Sequence, residues 1–592
     1  MLDSSHFRPT PESIPPPNVS YQLKQLKNVP VNYHPLNPFT FILRTALIYP
    51  DKLALAHPEA KEPAFYTYST WAQRIQNLAY ALIQAGVRPG DRVAVLAPNT
   101  PMISGLPLFT ISVCFPLSLT KTSDAYFGVI AARAIVTPIN TRLTPHEVSY
   151  ILDHSGAKLI LVDYECLHLL PAIRATTIVC YDTGRTGDPY EEFLSLGRKF
   201  SQERGWVGLD VETDEEAGAA LCYTSGTTGR PKGVLTTLRG SYLAALANVV
   251  EGQITLESVY LCCGLGALKP NYRVLPMFHA AGWTFPWANV FACATQIILR
   301  SVNYPFIWKH LCHSQVTHYC GAPTVQIGIV NCSAAQPLTR PVSTIIAGSA
   351  PTAQVIGQLE QLGIKPIHTY GPFTRCYDHP SWSELPLAER ARLMARQGQS
   401  FATAQEVRVV YPPKDVDDQA LVDVPKDGRT LGEVVTRGNI VMKEYFQDPE
   451  ATRKAFRGGY FNSGDLAVMH PNSVITIMDR SKDIIISGGE NASSLAIEQE
   501  LANHPHVLEV SVVARPHPKW GERPMAFVII RPEFALRWAE NHPGFEIELK
   551  CHARKFLPGF ACPEWVQVVD ELPKTSTGKI LKSSLRKAVA KL

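Results

Sequence analysis

The stretch "EVSYILDHSGAKLILVDYE" (147–165) sets apolar residues at helical spacing, halts at a glycine and continues as an unbroken apolar run. A strand that is apolar on both faces has to be covered on both, so it predicts a parallel sheet packed under helices. "WAQRIQNLAYALIQAGV" (71–87) repeats the pattern as a helix ending at Gly86, and "DRVAVLAP" (91–98) follows as its buried strand. This alternation, which no sequence repeat accompanies, predicts the α/β class. Beyond about residue 400 it gives way to short strands and turns: "AQEVRVVYP", "GEVVTRG" and "NSVITIMDR". The last unit, "SSLAIEQELANHPHVLEVSVVARPH" onward, reads helix then strand.

At 592 residues the chain exceeds one compact core, so at least two domains are expected. A boundary near Asp479–Lys482 divides a large domain (35–479), made of helix-covered sheets plus a small β-rich region, from a small mobile α+β domain (480–592). Residues 1–34 are rich in proline and serine without an apolar core and read as a flexible tail. A net charge of +4 is too mild to argue for a nucleic-acid partner. The 13 cysteines are scattered without a Cys-x-x-Cys pair, which suits a reducing interior. Val93–Thr120 carries no charge, but Pro101, Pro107 and Pro116 and the lack of flanking anchors argue against a membrane span. The terminal Ala590-Lys591-Leu592 is close to the Ser-Lys-Leu peroxisomal address, which implies an import receptor as partner; otherwise the compartment is the cytoplasm.

"LCYTSGTTGRPKGVLTT" (221–237) carries the most chemistry. Gly226, Gly229 and Gly233 let backbone N–H groups approach an anion, Thr224, Ser225, Thr227 and Thr228 add hydroxyl donors, and Lys232 adds a mobile charge. The stretch has no Walker A register. It reads as a phosphate cradle; the competing reading is a polar turn between a strand and a helix.

These residues resemble the phosphate loop of the acyl-adenylate-forming superfamily, and "VNYHPLNPFTFILRTALIYPDK" (31–52) is most like its fungal and plant acyl-CoA ligases, among them fungal enzymes of siderophore and toxin pathways. "YFNSGDLAVMHP" is similar to the family's Tyr-x-x-Gly-Asp motif, which implies that Asp465 binds the ATP ribose. "DRSKDIIISGGENASSLAIE" resembles the hinge, implying Arg480 toward the ribose, Lys482 as pivot, and Gly488, Gly489 and Glu490 beside the thiol tunnel. "LPKTSTGKILKSSLRK" resembles the carboxyl-terminal motif and implies Lys579 as the catalytic lysine. "LPMFHAAGW" resembles the gate over the acyl pocket and implies His279; a core histidine packed by Phe278 and Trp283 is the other reading. "IIAGSAP" implies that Gly348, Ser349 and Ala350 abut adenine. Read without the family, Arg480 and Lys482 would be surface partners of their neighbours Asp479 and Asp483.

The resemblance implies ATP, Mg2+ and coenzyme A. A small or medium-chain carboxylic acid attacks the α-phosphate, pyrophosphate leaves, and a thiol takes the acyl group. Two alternatives stay open: an adenylating enzyme that loads a carrier protein, or an impaired homologue that only binds nucleotide or acyl ligand. Two segments depart from the family as insertions, 104–123 and 262–273. The family's Tyr-Gly-x-Thr-Glu motif appears as "TYGPFTRCYDHP": Tyr370 and Gly371 remain, Thr374 fits one register, and no glutamate precedes Glu384. No metal ligand is therefore assigned.

Overall fold

The computed structural model describes residues 30–58, 63–97, 123–171, 175–181, 187–205, 207–224, 230–263, 280–299, 302–348, 350–404, 406–413, 419–574 and 580–590. The tail to residue 29, segment 104–122 and most of 262–273 lie outside them, as does most of the uncharged run that raised the membrane question. Among the described residues no helix is long and apolar enough to cross a membrane.

Local signals act as read. Helix Tyr68–Gln84 starts where the Thr67 hydroxyl accepts the Thr70 N–H. Helix Pro145–Ser155 has a capping box between Thr144 and Glu147 and ends at Gly156 in the left-handed conformation (φ 60°). The strand after it, Leu159–Asp163, is buried at every position.

The large domain holds two sheets. In the nine-stranded one the interior strands Leu53–His57, Thr295–Leu299, Val259–Cys263, His318–Gly321, Val342–Ile346 and Ile364–Tyr370 run parallel. In the seven-stranded one Arg92–Leu96, Ile135–Pro138, Leu159–Asp163, Thr176–Cys180 and Gly218–Thr224 run parallel. The nine-stranded sheet ends in antiparallel strands on both sides and the seven-stranded one on one side, which the helix–strand alternation did not foretell. One apolar core spans the inner faces of both sheets and the helices between them. Helix Tyr68–Gln84 is buried all round from Thr70 to Leu82, so its Arg74 lies in the interior, paired with Asp124 (3.2 Å) and Glu191 (3.0 Å).

The β-rich region pairs Glu406–Val410, Leu431–Arg437, Tyr460–Met469 and Ile475–Arg480. Strand Ile475–Arg480 is its last; the next strand, Ile485–Ser487, already belongs to the carboxyl-terminal sheet. That sheet adds Glu490–Ala492, Gly521–Ile530, Val507–His517 and Trp565–Val568, with helices Ser494–Leu501 and His542–Phe556 packed on its core.

Candidate active site

The donor-rich stretch is the tip of a β-hairpin. Strands Gly218–Thr224 and Lys232–Thr237 pair antiparallel with Thr224 opposite Lys232, and helix Leu238–Gly252 begins only after the second strand. The competing strand-to-helix turn is thereby corrected: the ladder between these two strands holds the base of the tip. Thr224 and Lys232 are exposed, and the Lys232 ammonium lies 5.0 Å from the Tyr445 ring centroid. Arg230 stacks on Tyr150, whose hydroxyl donates to the Pro231 carbonyl at 3.2 Å. Ser225, Gly226, Thr227, Thr228 and Gly229 lie outside the described residues, as do His279, Ser349 and Lys579.

Three of the candidate residues meet. Asp465 and Arg480 are register partners on adjacent strands, with Arg480 Nε 3.3 Å from Asp465 Oδ1. The Tyr370 hydroxyl, 95 residues away in sequence, donates to Asp465 Oδ2 at 2.6 Å. Burial, and then the facing carboxylate, push this phenol well above its usual value, so it stays a donor. Gly371 turns the chain directly after Tyr370, at φ 56°. Gly348 (φ 94°, exposed) and Ala350 follow strand Val342–Ile346, the parallel neighbour of Ile364–Tyr370, so both loops leave the same edge of the sheet. Ligands of open parallel sheets bind at that edge.

Past the site comes the stretch that resembles the family's hinge. The hydroxyl and the backbone N–H of Ser481 donate to the Gly464 carbonyl (3.3 and 3.1 Å). The competing reading, surface pairs among 479–483, is not what the side chains form. Arg480 turns to Asp465, while Asp479 accepts both the N–H and the hydroxyl of Ser494 at 2.6 Å. Asp483 pairs with Arg586, whose guanidinium also reaches the Lys482 carbonyl at 3.1 Å. Partial desolvation, and then the charge of Arg480, draw the Lys482 ammonium below the ordinary lysine value. Gly488 and Gly489 (φ 64° and 90°) form the two-residue turn between Ile485–Ser487 and Glu490–Ala492, leaving Glu490 exposed. Positive φ at both positions is the type I′ requirement, which glycine meets without strain.

Sequence reasoning missed the clasp of the carboxyl-terminal helix Lys582–Val589. Lys582 lies 2.8 Å from the half-buried Glu498 carboxylate and donates to Ser494, and Arg586 holds Asp483. Only the surplus of cations in "LKSSLRK" hinted at it.

Among the described residues, no carboxylate from the segment after Gly371 reaches Tyr370; the one that meets it is Asp465. Thr374 is buried and donates to the Gln397 carbonyl at 2.6 Å, so its hydroxyl does not face the site. Arg375 pairs with Glu251. Asp378, the first carboxylate after Gly371, pairs with Lys365 at the opposite end of strand Ile364–Tyr370. A cavity of about 550 Å³ opens at that far end, lined by Glu360, Lys365, Asp378, Trp382 and Arg390, away from the residues that converge. Among the described residues, the carboxylate at Tyr370 is that of Asp465, whose two oxygens already face Tyr370 and Arg480, so the set fits a magnesium ion poorly.

The sequence profile of the AMP-binding enzyme family matches residues 43–103 and 123–446, and that of the AMP-binding enzyme C-terminal domain matches 496–579. The chain belongs to the AMP-binding enzyme family. The family match passes over 104–122 and runs through 262–273. The chain is 36% identical over 597 residues to the peroxisomal acetate/butyrate–CoA ligase AAE7 of Arabidopsis thaliana, covering 95% of this chain and 96% of that one. It is 33% identical over 595 residues to the peroxisomal trans-cinnamate:CoA ligase of Petunia hybrida, covering 95% and 96%. ATP-bound MatB from Rhodopseudomonas palustris shares the AMP-binding enzyme fold at a TM-score of 0.74 and 22% identity, covering 94% of this chain and 99% of that one.

Proposed function

We propose that this chain is an AMP-forming acyl-CoA ligase acting on a small or medium-chain carboxylic acid. The observation that carries the reading is the convergence of Tyr370, Asp465 and Arg480 beside the sheet edge where Gly348 and Gly371 turn. Relatives that are acetate, butyrate and cinnamate CoA ligases, matched over nearly their full length, support it.

In the first step an acid oxygen attacks the α-phosphorus of ATP, the bond to pyrophosphate breaks, and an acyl-adenylate forms. Asp465, fixed from both sides, accepts the ribose hydroxyls. Hydrogen bonds to an ionised acceptor are the stronger kind, which favours a carboxylate there. Backbone N–H groups and hydroxyls of 224–229, with Lys232, oppose the charge that builds on the departing phosphates. Gly348, Ser349 and Ala350 border adenine, and His279 closes the acyl pocket. Lys579 reaches from the small domain to the carboxylate and α-phosphate.

The small domain then turns about Lys482 and presents the turn at Gly488, Gly489 and Glu490. The coenzyme A sulfur attacks the acyl carbon, its proton leaves to solvent, and the bond to AMP breaks. We place the enzyme in the peroxisome, on the names of its relatives and the terminal tripeptide from Ala590, which an import receptor would read.

ATP–pyrophosphate exchange with a panel of acids, followed by acid- and coenzyme A-dependent release of AMP, tests the activity. Exchange with short or aryl acids and thiol-dependent turnover are expected. Nucleotide binding in calorimetry without exchange for any acid refutes it, and turnover with a carrier-protein thiol alone refutes coenzyme A as acceptor.

A further inference from the structure

Three side chains of the carboxyl-terminal domain, none used in the reaction above, converge from two places. The loop after helix Ser494–Leu501 reads His504-Pro505-His506, and helix His542–Phe556 brings Glu548 over it. His504 Nε2 and His506 Nδ1 lie 3.2 and 3.3 Å from the same oxygen, Glu548 Oε1, and the three atoms all fall within 4.8 Å of one another. Zinc bonds of about 2.0–2.1 Å in a tetrahedral site set ligand atoms ~3.4 Å apart, so the two short edges already have that length. Both imidazoles are buried (4% and 7% exposed), walled by Phe534, Trp538 and Phe545.

Protons account for one edge of this cluster and not the other: His504 Nδ1 accepts the His506 N–H, so the His504 Nε2–H can donate to Glu548. The Trp538 indole N–H donates to His506 Nδ1 at 3.2 Å, which makes that nitrogen an acceptor. Glu548 Oε1, 3.3 Å from the same nitrogen, is then a second acceptor facing it, two lone pairs with no hydrogen between them. A proton on Nδ1 would satisfy the carboxylate and strand the indole. A cation between the two acceptors converts the repulsion into two bonds.

We propose that His504, His506 and Glu548 form a zinc-class divalent-cation site in the carboxyl-terminal domain, with water as fourth ligand. Loading gives up two long contacts, the Trp538 indole bond and the His506 amide bond to His504 Nδ1 at 3.3 Å. The site lies under a segment that touches the large domain. The Arg531 N–H donates to the His506 carbonyl (2.9 Å), and its guanidinium donates to Asn331 Oδ1 (3.2 Å). An ion here stiffens the part of the small domain that leans on the large one.

The test is a Zn2+ titration of metal-free full-length protein against a chromophoric chelator, with tryptophan fluorescence followed in parallel. One tight equivalent and a fluorescence change are expected, and Mg2+ should produce neither. His506→Ala and Glu548→Gln should each weaken uptake by more than about 100-fold, since even outer-shell losses cost 10–100-fold. Trp538→Phe should keep zinc and lose the fluorescence change; it also decides the matter if the ligand variants misfold. Uptake that is equal in wild type and both ligand variants, absent from wild type, or lost in Trp538→Phe overturns the site and leaves a hydrogen-bonded histidine cluster.

Discussion

Asp465→Asn removes one charge from the centre of the candidate site while keeping its shape. In the fold, the carboxylate accepts from the Tyr370 hydroxyl at 2.6 Å and faces Arg480 at 3.3 Å. The amide oxygen can still accept from Tyr370, and a neutral acceptor in place of a charged one costs about 1 kcal/mol. The Arg480 side chain is 38% exposed, so its ion pair contributes under about 1 kcal/mol after solvent screening. The variant should therefore lose roughly 1–2 kcal/mol of stability and remain folded. Its effect on the reaction should be larger. If the carboxylate accepts two ribose hydroxyls, neutralising it weakens two charge-assisted bonds by about 1.5–3 kcal/mol together, or roughly 10- to 150-fold in the ATP dependence. Acid-dependent ATP–pyrophosphate exchange at varied ATP reads this directly. A folded Asp465→Asn protein within about twofold of wild type in ATP dependence would refute the ribose assignment. Tyr370→Phe is the companion variant: it leaves the charge, removes one bond, and should cost at most about tenfold. A larger loss than Asp465→Asn would mean that Tyr370 itself touches the ligand.

Gly488→Ala puts a side chain at φ 64° with its Cβ 2.9 Å from Trp520 Cε3, a strain of about 1–2 kcal/mol at a turn outside the sheet cores. Pyrophosphate exchange should survive in that variant and thioester formation should fall, read by comparing the half-reactions at saturating ATP. His368 is buried in the strand leading to Tyr370, and burial lowers its pKa from 6.5 to about 4. The unfolded chain then binds a proton before the folded one does. This contribution is complete above about pH 6.5 and is lost as pH falls toward 4, at up to about 1.4 kcal/mol per pH unit. His368→Gln should flatten that part of the melting-temperature profile. Arg74→Ala takes the buried cation from between Asp124 and Glu191 and should cost about 3–5 kcal/mol by chemical denaturation.

Much of the site was legible because its parts are local. The glycine and hydroxyl crowd of 224–229 needs no partner to show that it can approach an anion. The turn at Gly488 and Gly489 is written in two adjacent residues. Asp465 and Arg480 stand on neighbouring segments, and the hairpin between them makes them register partners. Tyr370 as the second partner of Asp465 was not legible, since no period or spacing links residues so far apart. Nor was the fate of Thr374, which looked free to serve the site until the Gln397 carbonyl took its hydroxyl. His504-Pro505-His506 had a local signal, a His-x-His followed by Glu548 and His552 one helical turn apart. It passed unremarked because the two segments meet only in the fold.

By itself, the sequence determined where helices start and stop, which strands are buried on both faces, and which loops can face an anion. Backbone periodicity, caps and turn residues act over a few neighbouring positions. The tertiary structure alone decided which buried strand lies beside which. Leu53–His57 pairs with Thr295–Leu299, and His57 Nδ1 meets the Ile298 carbonyl 241 residues away. It alone chose the two carboxylates that neutralise Arg74, 50 and 117 residues on. Apolar strands look alike to their neighbours in sequence; only packing at one site, where every buried charge must find its counter-charge, tells them apart.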